Sequence, residues 1–169
     1  MTIYHAAAPG VRIVEFSSRW REDFARLNLE WLRRWFVVEP IDEQVLHDPE
    51  THLLAGGGQV LFALLGEGDA QRAVGTVALR NDGDGVHELT KMAVQPDLRG
   101  AGIGRALLLA AIQAHVELGG RELYLESSSF LAPALALYES AGFVHHPAPR
   151  PGSHYARADV HMIWQPPPA

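Results

Sequence analysis

A chain of 169 residues, 47% hydrophobic and 20% charged, has the length and composition of a single soluble domain with a sizeable core. Fourteen Lys and Arg against twenty Asp and Glu leave a net charge of −6, which argues against nonspecific binding to nucleic acid or an acidic membrane surface; it fits simple solubility first, and is compatible with a cationic partner such as an amine. The absence of cysteine excludes disulfides, thiolate catalysis and Cys-based zinc sites, and fits a reducing cytosol.

Met1-Thr2-Ile3-Tyr4-His5 lacks the basic-then-apolar order of a secretion signal. No run approaches the roughly 18 apolar residues of a membrane span. A cytoplasmic location is expected. Residues 11–16 alternate as a strand does, and Ser17-Ser18 offers a helix N-cap. Trp20, Phe24, Leu27, Trp31 and Trp35 follow at helical spacing. That aromatic face packs into the core, or its end at Trp31 and Trp35 lines a pocket. Residues 39–50, with Pro40 and Pro49, read as a loop carrying a short helix.

Gly56-Gly57-Gly58 precedes a strand rather than a helix and reads as a turn, not a phosphate loop. Residues 60–65 and 73–79 read as strands of a hairpin closed at 66–69. A second turn, 81–85, leads into a strand over 86–94, completing an antiparallel meander. A long helix then carries Ile103, Ala106, Leu107, Ala110, Ala111, Ala114 and Val116, and Gly119-Gly120 ends it. A strand over 122–126, a helix over 133–141 stopped by Gly142, a strand at Phe143-Val144 and a last strand over 155–164 complete the chain. Residues 165–169 are expected to fray. No internal break divides the sequence, so residues 1–169 are read as one domain.

The most telling stretch lies between the third strand of the meander and the long helix. Arg99-Gly100-Ala101-Gly102-Ile103-Gly104-Arg105 places glycine at every second position where a helix opens. Backbone N–H groups at a helix start are unpaired and lie at the positive end of its dipole, so they attract phosphate. Arg105 stands where a dinucleotide-binding G-x-G-x-x-G turn needs its last glycine, and the Lys-Ser/Thr of a P-loop is missing. Nucleoside triphosphate and NAD chemistry are therefore disfavoured.

Arg99-x-x-Gly102-x-Gly104 resembles the Arg/Gln-x-x-Gly-x-Gly/Ala signature of the GNAT superfamily of N-acetyltransferases. Lys91-Met92-Ala93-Val94-Gln95-Pro96 resembles the strand end before it. Ala136-Leu137-Tyr138-Glu139-Ser140-Ala141-Gly142-Phe143 resembles the A-x-L-Y-x-x-x-G-F segment after it. The three stand in the family's order over residues 86–143. The resemblance implies an α/β fold with a mixed, mostly antiparallel sheet of six to seven strands flanked by helices, splayed into a V after the central strand.

It also implies acetyl-CoA as the acetyl donor and an amine as the acceptor: a small molecule, an amino acid or a protein amino group. Met92, Ala93 and Val94 would bond the pantetheine amides by strand addition. Arg99, Gly100, Ala101, Gly102, Ile103, Gly104 and Arg105 would hold the pyrophosphate. Where many relatives carry an asparagine, Ser128 or Ser129 stands instead; either bonds the pantetheine or caps the next helix. Tyr138 matches the family tyrosine that protonates the departing thiolate. Glu88, four residues before Met92 and by alternation on its face of the strand, is the candidate base, with water or a histidine as the alternative. With no acyl-enzyme nucleophile in view, the amine would attack directly in a ternary complex.

The acceptor cleft would draw on Trp35, Phe36, Glu39, Asp42, Tyr155 and Arg157. Glu39 or Asp42 would attract an ammonium group, and Arg157 would pair with a carboxylate. His145, His146, His154 and His161 show no metal-ligand spacing, and no metal is expected. The rival to an enzyme is a non-catalytic acyl-CoA-binding sensor, which would need the glycine turn but neither Glu88 nor Tyr138. No nucleic-acid or membrane partner is expected. A homodimer is left open.

Overall fold

The computed structural model describes residues 9–153 and 158–168. Seven strands, β1 (Val11–Glu15), β2 (Gln59–Leu65), β3 (Arg72–Gly83), β4 (Val86–Val94), β5 (Glu122–Ser127), β6 (Phe143–His145) and β7 (Val160–Trp164), form one sheet in the order β1-β2-β3-β4-β5-β7-β6. Every neighbouring pair is antiparallel except β4 and β5. The meander closes later than its turn residues suggested. β3 runs on to Gly83, and the reversal falls on Asp84 and Gly85, with φ of 54° and 75°, the left-handed pair that a tight hairpin requires. The last strand begins at Val160; residues 154–157, read as its start, lie outside the described residues.

Helices α1 (Arg21–Trp35) and α2 (Pro40–His47) cover one face of the sheet, and α3 (Ile103–Glu117) and α4 (Ala132–Ser140) the other. The strands alternate accordingly. Val60, Phe62 and Ala78 pack with Phe24, Leu29 and Leu32 on the α1 side. Leu61, Ala63, Val77 and Leu79 pack with Leu107, Leu108 and Ala111 on the α3 side. Ser17 accepts from Arg19 N and caps a short 3-10 turn that leads into α1. Along α1 the aromatic face passes from core to surface: Phe24 is fully buried, Trp31 half-buried and Trp35 42% exposed. Its last turn is therefore available to a site rather than to the core.

Two irregularities create that site. First, the parallel pairing of β4 and β5 lasts only three residues, Val86–Glu88 against Glu122–Tyr124. Beyond it β4 stays with β3 and β5 stays with β7, so the sheet opens into a V and one edge of β4 loses its strand partner. Second, Thr76 pairs with Ala93 but Ala78 pairs with Thr90, so β4 carries one residue more than β3 over this stretch. The surplus is a β-bulge, and Lys91 sits in it at φ 54°. The bulge resets the alternation. Glu88, opposite Arg80, and Thr90, opposite Ala78, face the α1 side, whereas Met92 packs against the α3-side cluster. Glu88 and Met92 are thus on opposite faces of the strand, contrary to the alternation expected from their spacing.

Candidate active site

The outer part of the V is a cleft of about 390 Å³. Met92, Ala93 and Val94 form one wall, continued by Arg99, Gly100, Ile103 and Gly104. Phe130, Leu131, Pro133, Ala134, Leu137 and Tyr138 form the other, with Trp31 and Trp35 across the top. Gly100 and Gly102 have φ of 84° and 85°, a conformation that side-chain-bearing residues adopt at a cost. Gly102 is the N-cap of α3 and supplies no side-chain cap, so the first N–H groups of the helix remain for an anion. Gly104 has no such φ; a β-carbon there would lie in ordinary van der Waals contact between Leu137 Cδ2 at 3.6 Å and Val94 Cγ2 at 3.8 Å, on the floor between the two walls. Arg99 lines the cleft. Arg105 turns away to donate to Ser140 Oγ at 3.0 Å, which ties α3 to α4. Ala101 is exposed beside the turn.

Deeper in the V lies a second cavity, of about 100 Å³, between β4 and β5. Trp31, Met92, Leu131 and Tyr138 line both spaces, so they meet there. The inner walls carry Glu88, Thr90, Lys91, Glu126, Ser127, Ser128 and Phe36. Tyr138 packs edge-on against Phe143 at 6.1 Å. Burial pushes its phenol up to about 12, so it is protonated and a donor at neutral pH. Its hydroxyl has no hydrogen-bond partner among the described residues.

Glu88 is 2% exposed, and burial raises its pKa above the usual carboxylate range despite the opposing charge of Arg80. Arg80 Nη2 donates to Glu88 Oε2 at 2.9 Å, and Arg80 Nε donates to Asp82 Oδ1 at 2.8 Å. The hydroxyl of Tyr124 stands 3.0 Å from Glu88 Oε2 and 2.5 Å from Asp82 Oδ2. Burial opposes the charge of Asp82, but the bonds from Arg80 and Tyr124 outweigh it and lower its pKa.

Ser128 and Ser129 part company. Ser128 is buried and lines the inner cavity. Ser129 is exposed and binds Asp159 through its N–H at 2.7 Å and its hydroxyl at 2.6 Å. Of the residues expected at the acceptor cleft, Phe36 lines the inner cavity and Trp35 the outer one. Glu39 is the N-cap of α2. Asp42 is not a surface carboxylate: it is fully buried, accepts from Glu39 N at 2.9 Å and pairs with Lys91 Nζ at 3.0 Å. That ion pair fastens α2 to the bulge of β4, and its charge is already balanced. Tyr155 and Arg157 lie outside the described residues.

Sequence reasoning passed over Arg80, Asp82, Tyr124 and Glu126. No local signal marks them: it is the register of β5 against β4 that puts Tyr124 and Glu126 on Glu88's face. Glu126 lines the inner cavity with no hydrogen bond or ion pair among the described residues. On the far side of Tyr124 a groove of about 420 Å³ opens between α2 and the segment after β6, with Arg80, Asp82, Tyr124, Glu126 and Arg150 along it.

Comparison with known proteins agrees with this geometry. The profile of the Acetyltransferase (GNAT) family matches residues 16–143. The chain belongs to the GNAT family. It is 35% identical over 88 residues to YjgM of Escherichia coli K12, named as an uncharacterized N-acetyltransferase; the match covers 52% of this chain and 53% of that protein. The GNAT-family acetyltransferase of Staphylococcus aureus Mu50 superposes with a TM-score of 0.79 over 91% of this chain and 98% of its own, at 22% identity. YncA of Salmonella typhimurium, solved with its cofactor acetyl-CoA, superposes with a TM-score of 0.69 over 92% and 94%, at 20% identity. At these identities the structural likeness is one of fold. The mixed seven-stranded sheet with its flanking helices is the GNAT architecture the motifs implied. No described helix is long and apolar enough to cross a membrane.

Proposed function

We propose that this GNAT protein transfers the acetyl group of acetyl-CoA to a cationic primary amine by direct attack. The reading rests on one observation: the outer cleft that ends at the glycine turn and the inner cavity that holds Glu88 share Met92 and Tyr138. A thioester entering by the first space therefore meets an amine waiting in the second. The diphosphate of the donor takes the N–H groups at the start of α3, with Arg99 beside it. The pantetheine amides take the open edge of β4 at Met92, Ala93 and Val94, and Ser128 bonds the arm from the opposite side.

The acceptor amine arrives protonated and is drawn by the free carboxylate of Glu126 and the aromatic faces of Trp31 and Phe36. Glu88 removes its proton; burial raises its pKa and so makes it a stronger base than an ordinary carboxylate. The amine nitrogen bonds to the carbonyl carbon, and the oxyanion is met by a backbone N–H of β4 beyond the bulge. Collapse breaks the C–S bond, Tyr138 protonates the thiolate, and the second proton of the attacking nitrogen restores the phenol of Tyr138. The test is a thiol-release assay with acetyl-CoA across small amines, amino acids and peptide N-termini. Turnover with at least one class, lost in Glu88→Gln, is expected. Tight binding of acetyl-CoA with no thiol released on any amine would leave a binding module.

A further inference from the structure

The reaction releases one proton overall: R–NH3⁺ and an acetyl thioester become an amide, a thiol and H⁺. If Glu88 is the base, as proposed above, that proton rests on a side chain 2% exposed, facing a cavity of about 100 Å³ filled by the acceptor and the acetyl group. It cannot leave by the way the substrates came in until a product departs.

The hydrogen-bond geometry around Glu88 supplies another exit. The hydroxyl of Tyr124 lies between two carboxylate oxygens, Glu88 Oε2 at 3.0 Å and Asp82 Oδ2 at 2.5 Å. A phenol has one proton to donate. The shorter contact assigns it to Asp82, which leaves the Tyr124 oxygen as an acceptor toward Glu88. That second contact becomes a hydrogen bond only when Glu88 itself carries a proton. Arg80 bonds both carboxylates, through Nε to Asp82 at 2.8 Å and Nη2 to Glu88 at 2.9 Å, and reaches Tyr124 O at 3.3 Å. One guanidinium thus bonds two carboxylates directly, while Arg150, itself paired with Glu122 at 3.0 Å, adds a second positive charge on the Asp82 side. The far end is wet: the side chain of Asp82 is 25% exposed against 3% for Glu88, and it opens on the groove beside Arg150 and Ser153. Arg150 lies over the Tyr124 ring at 3.8 Å, holding the phenol in place.

We infer that Glu88, Tyr124 and Asp82 form a proton relay that carries the acceptor's proton from the inner cavity to the groove on the α2 side while the products are still bound. The proton moves from the ammonium to Glu88 Oε2. Glu88 then gives a proton to the Tyr124 oxygen as Tyr124 passes its own to Asp82 Oδ2, and Asp82 delivers it to water. Tyr124 never becomes a phenolate, in keeping with burial and two neighbouring carboxylates that push its pKa up. Tyr124 and Asp82 act through Glu88 and touch no reacting atom.

The test is a single turnover followed with a pH-indicator dye and, in parallel, by the ultraviolet absorbance of the thioester, which is lost at C–S cleavage while both products are still bound, using acetyl-CoA and the most active amine of the panel. In the native chain the two signals change with the same rate constant. Tyr124→Phe, which keeps the ring under Arg150, and Asp82→Asn, which keeps one acceptor oxygen but cannot take a proton, are each expected to delay the proton at least tenfold behind thioester cleavage, until a product departs. Added imidazole should shorten that lag. Proton and thioester signals that stay in step in both variants, whether at full rate or slowed together, would overturn the relay and leave these residues a purely positioning role. Full turnover in Glu88→Gln would instead overturn the base assignment on which the relay rests.

Discussion

The replacement Gly104→Ala separates what the glycine turn does for the fold from what it does for the donor. Gly104 is the second residue of α3, and its φ lies outside the left-handed range. A β-carbon there would meet Leu137 Cδ2 at 3.6 Å and Val94 Cγ2 at 3.8 Å, ordinary van der Waals contact. Replacing glycine by alanine in a helix at a compatible φ stabilises by about 0.5–1 kcal/mol. For a domain of this length that is a rise in Tm of about 1–4 °C. The methyl group would nevertheless occupy the floor of the cleft, where Val94 and Leu137 form opposite walls. Crowding a packed contact by one carbon costs about 1–3 kcal/mol, which converts to roughly 5- to 150-fold weaker binding. Thermal unfolding and calorimetric titration with CoA should therefore move in opposite directions, the protein sturdier and the complex weaker. Gly102→Ala is the control. Its φ of 85° with no heavy atom within 4 Å of the new carbon predicts a strain cost of about 1–2 kcal/mol and a lower Tm. An alanine at 104 that binds CoA as tightly as glycine does would show that the donor does not pass over this floor.

Tyr138→Phe should lower kcat by about 10²-fold or more, the range of a lost general acid, while the Kd for acetyl-CoA changes little; an unchanged kcat removes the tyrosine from the chemistry. Ser128→Ala should weaken CoA binding without unfolding the chain, whereas Ser129→Ala, which frees Asp159, should cost stability and spare CoA affinity. The reverse pattern would exchange their roles. Stability should fall on acidification below about pH 6.5. Burial lowers the folded-state pKa of His87, His115 and His161, so the unfolded chain takes up protons that the folded chain refuses, at about 1.4 kcal/mol per pH unit for each histidine. Glu88, with its pKa raised, works in the opposite sense as pH falls toward about 4.5. Three histidines outweigh one carboxyl, so urea midpoints should drop between pH 6.5 and 5; a flat profile would refute the buried neutral histidines.

The elements that carry the fold were written in local pattern. Alternation over β1 to β4, the apolar repeat of α3 and the glycines that end α3 and α4 depend on neighbours three or four positions away, and the structure matches them to within a few residues. The glycine turn and Tyr138 were legible for a related reason: each belongs to a short motif whose spacing is set by one helix start or one helix face. The polar interior of the site was not legible, because it is assembled across strands. Lys91 departs from the pleat by one residue, and nothing in Thr90-Lys91-Met92 announces this; only the ladder of β3 against β4 reveals it. That single surplus residue moves Met92 to the opposite face from Glu88 and lets Lys91 reach Asp42, 49 positions earlier. A carboxylate that local reading assigns to the acceptor thereby becomes a bolt between α2 and the bulge. The same holds for Glu88. Its burial, its guanidinium and its phenol come from Arg80 and Tyr124, which meet it only through the registers of β3 and β5. A strand residue's chemistry is set by its cross-strand partners. The wall of the cleft built on one turn and one helix was therefore readable from the chain, and the inner cavity, built on three strands, had to be seen folded.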